Sequence, residues 1–199
     1  GGLNTNVFRH VLTKIQEAES KGKKIKAVAI GNKALNFLSR IDVNILSSYC
    51  QVSDKPQPEK LNASIRPLLN SYEKGELEKI FVFSNKFINT MTQNPVTDVL
   101  LPLTTKEMKT INNYSWDYVY EPESQELIDG LVLRYVETVT HQALVENIAS
   151  EQSARMVAMK AATDNAGNVI EELKLVYNKT RQAAITKELS EIVAGAAAV

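Results

Sequence analysis

The residues best suited to catalysis are few in this sequence and lie far apart. Cys50 is the only cysteine, and His10 and His141 are the only histidines, both in helix-like segments. A thiol nucleophile needs a neighbouring base and a metal needs several ligands at short spacing, and neither pattern occurs. Cys50 lies in a strand-like run, where a small core residue is the commoner role, and a single cysteine excludes an internal disulfide. We therefore expect no metal site, no catalytic triad and no cofactor.

A phosphate site is the other chemistry to consider. Gly31-Asn32-Lys33 connects a predicted strand to a predicted helix, where backbone N–H groups could approach a phosphate. The single glycine, without a G-x-G-x-x-G or a Gly-Lys-Ser/Thr pattern, makes nucleotide binding the less favoured interpretation. Asp54, Asp117 and Glu121 could act as acids or bases, but their spacing gives none of them a partner.

Composition sets broad limits on the class of protein. Lys plus Arg and Asp plus Glu number 23 each among 199 residues, so the formal net charge is zero. This balance argues against the broad positive surface that nucleic acids attract. The sequence contains no apolar run long enough for a membrane-spanning helix and no recognisable secretory or transit sequence at its start. The single cysteine fits a reducing compartment.

The element that must position all the others is the segment from Pro122 to Val199. After Pro122 it contains no proline, only Gly130, Gly167 and Gly195 as glycines, and mostly helix-forming residues. Proline costs about 3 kcal/mol inside a helix and glycine about 1 kcal/mol, so we predict one long helix over residues 123–199. At ~1.5 Å per residue it would be roughly 110 Å long, too long to be buried by the rest of this chain. We predict a rod that leaves the domain.

An apolar stripe with the 3-4 spacing of a coiled coil runs along this predicted helix. We call it the heptad stripe, and its members are Met159, Ala162, Ala166, Val169, Leu173, Val176, Thr180 and Ala183. Val145 and Ile148 keep the same phase upstream, whereas Gln152 and Arg155 interrupt it. An apolar stripe usually belongs to a helix bundle. Residues 1–122 contain no second long helix, however, so the partner must be another chain or a segment missing from this sequence.

The first 122 residues show alternating helix and strand patterns. Periodicity and turn residues predict helices at 7–20, 34–41 and 59–72, strands at 25–30, 44–52, 77–92, 96–103 and 116–120, and turns at 53–58 and at Gln93-Asn94-Pro95. This order predicts an α/β fold: a three-layer, Rossmann-like domain over residues 1–122 with a sheet of mixed direction. The first turns of the long helix are predicted to cover one face of that sheet through Leu127, Ile128, Leu131, Val132 and Tyr135.

Five stretches carry a resemblance to a known family. They are Ser150–Ala166 (SEQSARMVAMKAATDNA), Leu175–Leu189 (LVYNKTRQAAITKEL), the ending Glu191–Ala198 (EIVAGAAA), Phe83–Met91 (FSNKFINTM) and Ser115–Tyr118 (SWDY). These stretches resemble the γ subunit of the F-type ATP synthase as found in bacteria, and the resemblance extends over the whole chain. The family's chains begin with a helix that pairs antiparallel with the last one, followed by a strand. Both are absent from this sequence, so it resembles a fragment of such a chain.

The resemblance implies a rotor that performs no chemistry itself. In the family, the long helix turns inside the ring of α and β subunits, and the α/β domain sits on the membrane c-ring beside the ε subunit. Proton flow turns the ring, and the catalytic sites lie on the β subunits. The implied location is the cytoplasmic face of the bacterial inner membrane, with attachment only through the complex. No cofactor and no nucleic-acid partner are implied.

Partner contacts are also implied by the resemblance. Arg181, Gln182, Thr186 and Glu188 match family positions that meet the loops of the β subunits, and Arg155 matches another position facing the head. With Gln152, which interrupts the heptad stripe beside Arg155, these six residues are the partner-contact positions. Without the resemblance, all six would be interpreted as a solvated helix face. The last residues, Ala194–Val199, are small and uncharged, which suits a shaft end turning in an apolar collar.

Two other classes of protein stay open on the sequence alone. One is an α/β enzyme or nucleotide-binding domain with a coiled-coil oligomerisation tail, and the other is a coiled-coil adaptor that tethers an α/β domain. Nucleotide binding by the isolated chain would favour the first, whereas co-purification with α and β subunits favours the rotor. In each case, an uncovered heptad stripe predicts that this chain pairs with copies of itself.

Overall fold

The computed structural model describes residues 2–41, 43–53, 56–103 and 124–197. Contacts within the chain divide it into two units, Gly1–Ala154 and Arg155–Val199. The predicted strand at 116–120 and the predicted domain boundary at Pro122 lie outside the described residues, as do Asp54, Asp117 and Glu121. These points therefore stay predictions.

The first unit begins with a helix and a parallel strand pair. Its elements are α1 (Leu3–Glu19), β1 (Lys26–Ile30), α2 (Asn32–Leu38) and β2 (Asn44–Tyr49). Strands β1 and β2 pair in parallel, and α2 lies in the crossover between them. Gly31 has a φ of 93°, which a residue with a side chain rarely adopts, so glycine permits the sharp passage from β1 into α2. The rings of Phe8 and Phe37 stack with centroids 4.2 Å apart and join α1 to α2.

A helix and an antiparallel hairpin follow. Helix α3 spans Pro58–Glu73, and β3 (Ile80–Phe87) pairs antiparallel with β4 (Gln93–Leu101). Pro58 starts α3 where a missing N–H costs nothing, and its apolar residues recur at helical spacing on the buried face. This agrees with the helix predicted over residues 59–72.

The position of the hairpin turn corrects the prediction. The turn was predicted at Gln93-Asn94-Pro95, but those residues lie in β4, and the chain turns between Phe87 and Gln93 instead. The Asn89 Oδ1 accepts hydrogen bonds from the N–H groups of Met91, at 3.0 Å, and Thr92, at 2.7 Å. An asparagine side chain that bonds the backbone two residues ahead substitutes for a backbone turn, and this fixes the turn at Asn89.

The strands form two sheets where one was predicted. Among the described residues, β1 pairs only with β2 and β3 pairs only with β4, giving a parallel and an antiparallel pair. The single sheet of mixed direction is therefore wrong for this part of the chain. Within the described ranges no strand lies between β1 and β3 to connect the two pairs.

The hydrophobic core joins α3, the hairpin and the long helix α4 (Ser124–Ala197). Its buried members are Tyr49, Leu61, Ile65, Leu69, Ile80, Leu100, Leu101, Val136 and Leu144. Leu61 is 0% exposed and Val136 is 1% exposed. Full burial of side chains of this size stabilises a fold by about 1.5–3 kcal/mol each, so these positions bind the first unit together.

The start of α4 packs less than predicted. Leu127, Ile128, Leu131 and Tyr135 are exposed rather than covering a sheet face. Val132 packs on the core and Val136 and Leu144 are buried in it, with Thr140 buried between them. A four-residue spacing keeps these side chains on one helix face, and Leu127, Leu131 and Tyr135 lie off it. Ile128 keeps the spacing but is still 53% exposed.

The predicted fold class is confirmed: strands alternate with helices in an α/β unit, and a helix of 74 residues ends the chain. Helices α1 and α2 contact each other and the strands, and α3 shares the core with α4. None of the helices in the described ranges has the length and apolarity that crossing a bilayer requires.

Candidate functional surface

The second unit is a stretch of α4 whose side chains are exposed. Every described residue from Ala158 to Ala197 is exposed to solvent. This includes the whole heptad stripe, of which Met159 is 63% exposed, Val169 53%, Leu173 62% and Val176 55%. Helical propensity alone supports isolated helices only weakly, and most helical stability in proteins comes from a packed apolar face. The heptad stripe is therefore an exposed apolar surface, and its pairing with another helix stays a prediction.

The partner-contact positions near the C-terminus lie off the heptad stripe. At about 100° per residue, Gln182 lies about 160° from Thr180 of the heptad stripe. Thr186 lies ~40° from Gln182 and about 60° from Ala183, beside the stripe. Arg181 and Glu188 lie within ~20° of each other on one flank of the helix. All four are exposed. They form two polar patches off the heptad stripe, of which the patch of Gln182 with Thr186 borders it.

The other two partner-contact positions lie much earlier on α4. Gln152 and Arg155 are exposed and occupy heptad-stripe phase, seven residues before Met159 and Ala162. They fall at the border of the two units, which divide between Ala154 and Arg155. The six predicted positions therefore form two separate groups along one helix rather than a single cluster.

The candidate chemical groups do not come together. His10 is exposed on α1, His141 is half-buried on α4, and Cys50 is a free, half-buried thiol after β2. No group of three or more His, Cys, Asp or Glu side chains suited to a metal ion occurs in the part of the chain that the structure describes. The glycine turn at Gly31 leads into α2, a helix of only seven residues. Nothing at these positions forms a catalytic arrangement.

A cavity lined by both strand pairs lies in the described part of the first unit. Its volume is about 840 Å³, and both β1 and β3 line it, together with α1, Ile65 and Leu68 of α3, and Thr140 of α4. The lining is mostly aliphatic and aromatic, and its charged residues come from Lys14–Lys21 and from the place where Lys23–Lys26 face Glu76–Lys79. A reactant site would need convergent polar groups within it. The cavity instead resembles unfilled core between two open strand edges.

Two ion pairs between segments distant in sequence border this cavity. Lys26 binds Glu76, Lys23 binds Glu78, and Lys26 also lies 3.4 Å from the Ser71 hydroxyl. The hydrogen bond from Lys26, followed by its positive charge, lowers the pKa of Glu76 below the ordinary value of 4.5. Lys23 lowers the pKa of Glu78 in the same way. A catalytic acid near neutral pH needs a raised carboxyl pKa, so these shifts indicate structural pairing.

A polar contact that the sequence interpretation missed joins the hairpin to α4. Asn85 of β3 is 1% exposed and donates from its Nδ2 to the Oδ1 of Asn147, 2.9 Å away. The available signal was a polar residue in core phase, because Thr140, Leu144 and Asn147 recur on one helix face. Their partner 62 residues earlier could not be identified from local pattern.

Comparisons with known proteins agree over the full chain. A family model described as ATP synthase matches residues 1–199. Over 200 residues the chain is 58% identical to the ATP synthase gamma chain of Janthinobacterium sp. (strain Marseille), which covers 100% of this chain and 69% of that protein. It is 56% identical over 200 residues to the ATP synthase gamma chain of Herminiimonas arsenicoxydans, with the same coverage.

Solved structures show the same fold at lower identity. The structure titled Euglena gracilis mitochondrial ATP synthase, OSCP/F1/c-ring, rotational state 3, contains a chain that matches with a TM-score of 0.65 and 20% identity. The match covers 100% of this chain and 68% of that one. A chain of the rotor of the same assembly in rotational state 1 matches with a TM-score of 0.61, also at 20% identity.

Proposed function

This chain belongs to the ATP synthase gamma-chain family, and we propose that it acts as the rotor of the central stalk in that complex. The exposed heptad stripe on one unbroken helix is the observation that carries the proposal. A helix of 74 residues with an apolar stripe has its stabilising partner outside the described part of this chain.

The rotor transmits motion and leaves the chemistry to its partners. In this proposal the C-terminal part of α4 turns inside the ring of α and β subunits, whose β subunits carry the catalytic sites. The α/β unit binds the membrane c-ring and the ε subunit. Ion flow turns the c-ring, and α4 presents a different face to each β subunit as it rotates. Attachment to the cytoplasmic face of the bacterial inner membrane is through these subunits.

Two kinds of surface on α4 suit this task. The heptad stripe takes a second helix, which stiffens the shaft by burying an apolar seam. The polar patches of Arg181 with Glu188 and of Gln182 with Thr186 lie off that seam and face the ring. Charge-assisted hydrogen bonds there, worth about 1.5–3 kcal/mol each, form and break as the angle changes.

Rotation in a reconstituted complex tests this function. The chain, in its longest natural form, would be purified with α and β subunits, and the ring fixed to glass with a bead on the α/β unit. We expect ATP-dependent rotation of the bead in one direction. A chain that fails to co-purify with α and β, or a bead that stays still while ATP is hydrolysed at the normal rate, would disprove the proposal.

The proposed contact of Arg181 with the ring is tested by comparing its variant with a control variant at a nearby exposed cation. Arg181→Gln removes a proposed contact with the ring, and Lys179→Gln removes an exposed cation two residues away on another helix face. We expect Arg181→Gln to lower the rate of ATP-driven rotation about 3- to 10-fold, or roughly 0.7–1.4 kcal/mol. Lys179→Gln should stay near wild type. Equal rates for the two variants would remove Arg181 from the contact surface.

A further inference from the structure

Four polar side chains join the β3–β4 hairpin to α4 within the first unit. The Asn147 Oδ1 accepts from the Asn85 backbone N–H at 3.2 Å and from the Asn85 Nδ2 at 2.9 Å. Ser150 Oγ donates to the Asn85 carbonyl at 3.4 Å, and Ser153 Oγ donates to the Thr90 carbonyl at 2.9 Å. We call these residues, Asn85, Asn147, Ser150 and Ser153, the polar clamp.

The clamp bonds the backbone groups of Asn85 that point away from β4. Side chains of α4 bond both the N–H and the C=O of Asn85, and in an antiparallel pair these two groups of one residue point to the same side. Pro95, which lies opposite Asn85 in the β3–β4 register, therefore loses no ladder bond and is tolerated there. Asn85 is 1% exposed and Ser150 is 0% exposed, so water cannot replace these partners. Backbone groups buried in this way need partners, and here they come from one particular register of α4.

The face that α4 turns towards the first unit changes from apolar to polar along its length. Val136 and Leu144 are buried in the core, and Asn147, Ser150 and Ser153 follow at three-residue spacing, each about 60° further round the helix. The last clamp residue, Ser153, lies one residue before the first unit ends at Ala154. The clamp therefore lies at the end of the part of α4 that belongs to the first unit.

We propose that the polar clamp fixes the axial and rotational register of α4 on the hairpin, so that turning the α/β unit turns α4 without slip. This rests on the proposed rotor function. Apolar contacts are non-directional and can repack when a helix shifts, whereas hydrogen bonds need defined distances and angles. Moving α4 by one residue rotates it by about 100°. That movement would separate Asn147 from Asn85 and leave buried polar groups without partners.

A double-mutant cycle on the chain itself tests whether the polar clamp fixes the register of α4. We expect Asn147→Leu and Asn85→Leu each to lower the midpoint of thermal unfolding of the first unit by about 3–9 °C. The double variant should lose clearly less than the sum, because neither amide is then left without the other. If the losses in unfolding midpoint were strictly additive, the proposal that the polar clamp fixes the register would be overturned. If Asn85→Leu fails to fold, Asn85→Ser with Asn147→Leu provides a milder cycle on the same pair.

Coupling in the assembled ATP synthase tests the transmission of torque. Proton pumping and ATP hydrolysis would be measured together in membrane vesicles that carry each variant in the longest natural chain. We expect Asn147→Leu to lower protons pumped per ATP at least about threefold, since a slipping helix lets hydrolysis continue. Asn147→Asp keeps an oxygen acceptor for both Asn85 donors and should stay within about twofold of wild type.

The control is Gln142→Leu, the same type of change on the same helix, where the amide bonds only the exposed Glu146. A purely packing role for Asn147 would reduce the amount of assembled complex without altering protons per ATP, and that result would overturn the proposal. If the wild-type chain assembles no pumping complex, the proposed rotor function fails with the torque claim. The thermal cycle still decides whether the register is locked.

Discussion

At the scale of single residues, a few aliphatic side chains and a few polar pairs determine the first unit. Leu61 and Val136 are the largest apolar side chains with almost no exposure among the described residues. Leu61 was predicted on an apolar helix face, because burial follows periodicity. Val136 was not predicted, since the apolar residues named at the start of the long helix were its neighbours. The Asn85–Asn147 pair could not be, since each asparagine resembles a surface residue until its distant partner is known.

Truncation in the core should cost far more than truncation on the exposed helix. Leu61→Ala removes a side chain that is 0% exposed and should lower the free energy of unfolding by about 2–5 kcal/mol, through lost burial and a cavity. Leu175→Ala, at a residue 72% exposed, should change it by less than about 0.5 kcal/mol. Chemical denaturation followed by tryptophan fluorescence and circular dichroism measures both. Similar losses would contradict the assigned core.

The ion pairs at the cavity border predict a direction of pH dependence. Lys26 and Lys23 lower the pKa values of Glu76 and Glu78, so the folded state holds these carboxylates ionised more strongly than the unfolded state does. The two ion pairs contribute their full stabilisation of the fold at pH values above the ordinary carboxyl pKa of 4.5. This stabilisation is lost as the pH falls through the lowered pKa of the folded state. Both carboxylates are exposed, so we expect a small effect that high salt weakens further.

The measurement is thermal unfolding between about pH 7 and pH 3. Glu76→Gln should be less stable than wild type at neutral pH and should converge with it in acid. Glu171→Gln, on the exposed part of α4, serves as the control and should track wild type across the range. A Glu76→Gln curve that stays parallel to wild type at every pH would show that the Lys26 pair contributes nothing.

At the scale of elements, the helices and most strands could be predicted from the sequence. The prediction failed where side-chain contacts override the local pattern. The predicted helix at 59–72 corresponds to Pro58–Glu73, and the predicted long helix corresponds to Ser124–Ala197 within the described residues. The predicted position of the hairpin turn was wrong because Asn-Pro is a strong turn signal in sequence. The side chain of Asn89 makes the turn earlier, and Pro95 is accepted in β4 opposite Asn85.

The heptad stripe can be separated from the rest of α4 with two leucines. Leu173 belongs to the stripe and is 62% exposed, whereas Leu175 lies about 200° around the helix and is 72% exposed. Leu173→Lys should weaken pairing with a partner helix at least about tenfold, because it places a charge in the apolar seam. Leu175→Lys should have little effect. Self-association of the isolated chain, measured by light scattering, gives the comparison, and equal average masses for the two variants would exclude the stripe as the pairing face.

At the scale of the whole molecule, the chain consists of a unit with its own core and a unit without one. The first unit buries an apolar cluster, while every described residue from Ala158 to Ala197 is exposed. Alternating helices and strands were enough to predict the α/β class. The split into two strand pairs could not be predicted, because strand order depends on pairing between distant segments and leaves no local signal.

The uncovered stripe predicts how this chain behaves in isolation. With Met159, Val169, Leu173 and Val176 each more than half exposed, we expect the chain to form dimers or larger assemblies through α4. Light scattering at about 50 µM measures this, a concentration at which weak micromolar pairing is populated. Leu173→Lys should shift the chain towards monomer. A wild-type chain that stays monodisperse and monomeric would contradict the prediction.

The open strand edges along the cavity have a consequence for deuterium labelling. In a two-stranded sheet every second amide points away from its neighbour, so β1 and β3 should show alternating fast and slow isotope uptake. Asn85 should depart from this alternation, because its outward backbone N–H donates a hydrogen bond to the Oδ1 of Asn147 and should therefore exchange slowly. If an extended segment enters the cavity and pairs with both edges, the alternation disappears. A mass spectrometer thus records whether that space is filled, residue by residue and without a crystal.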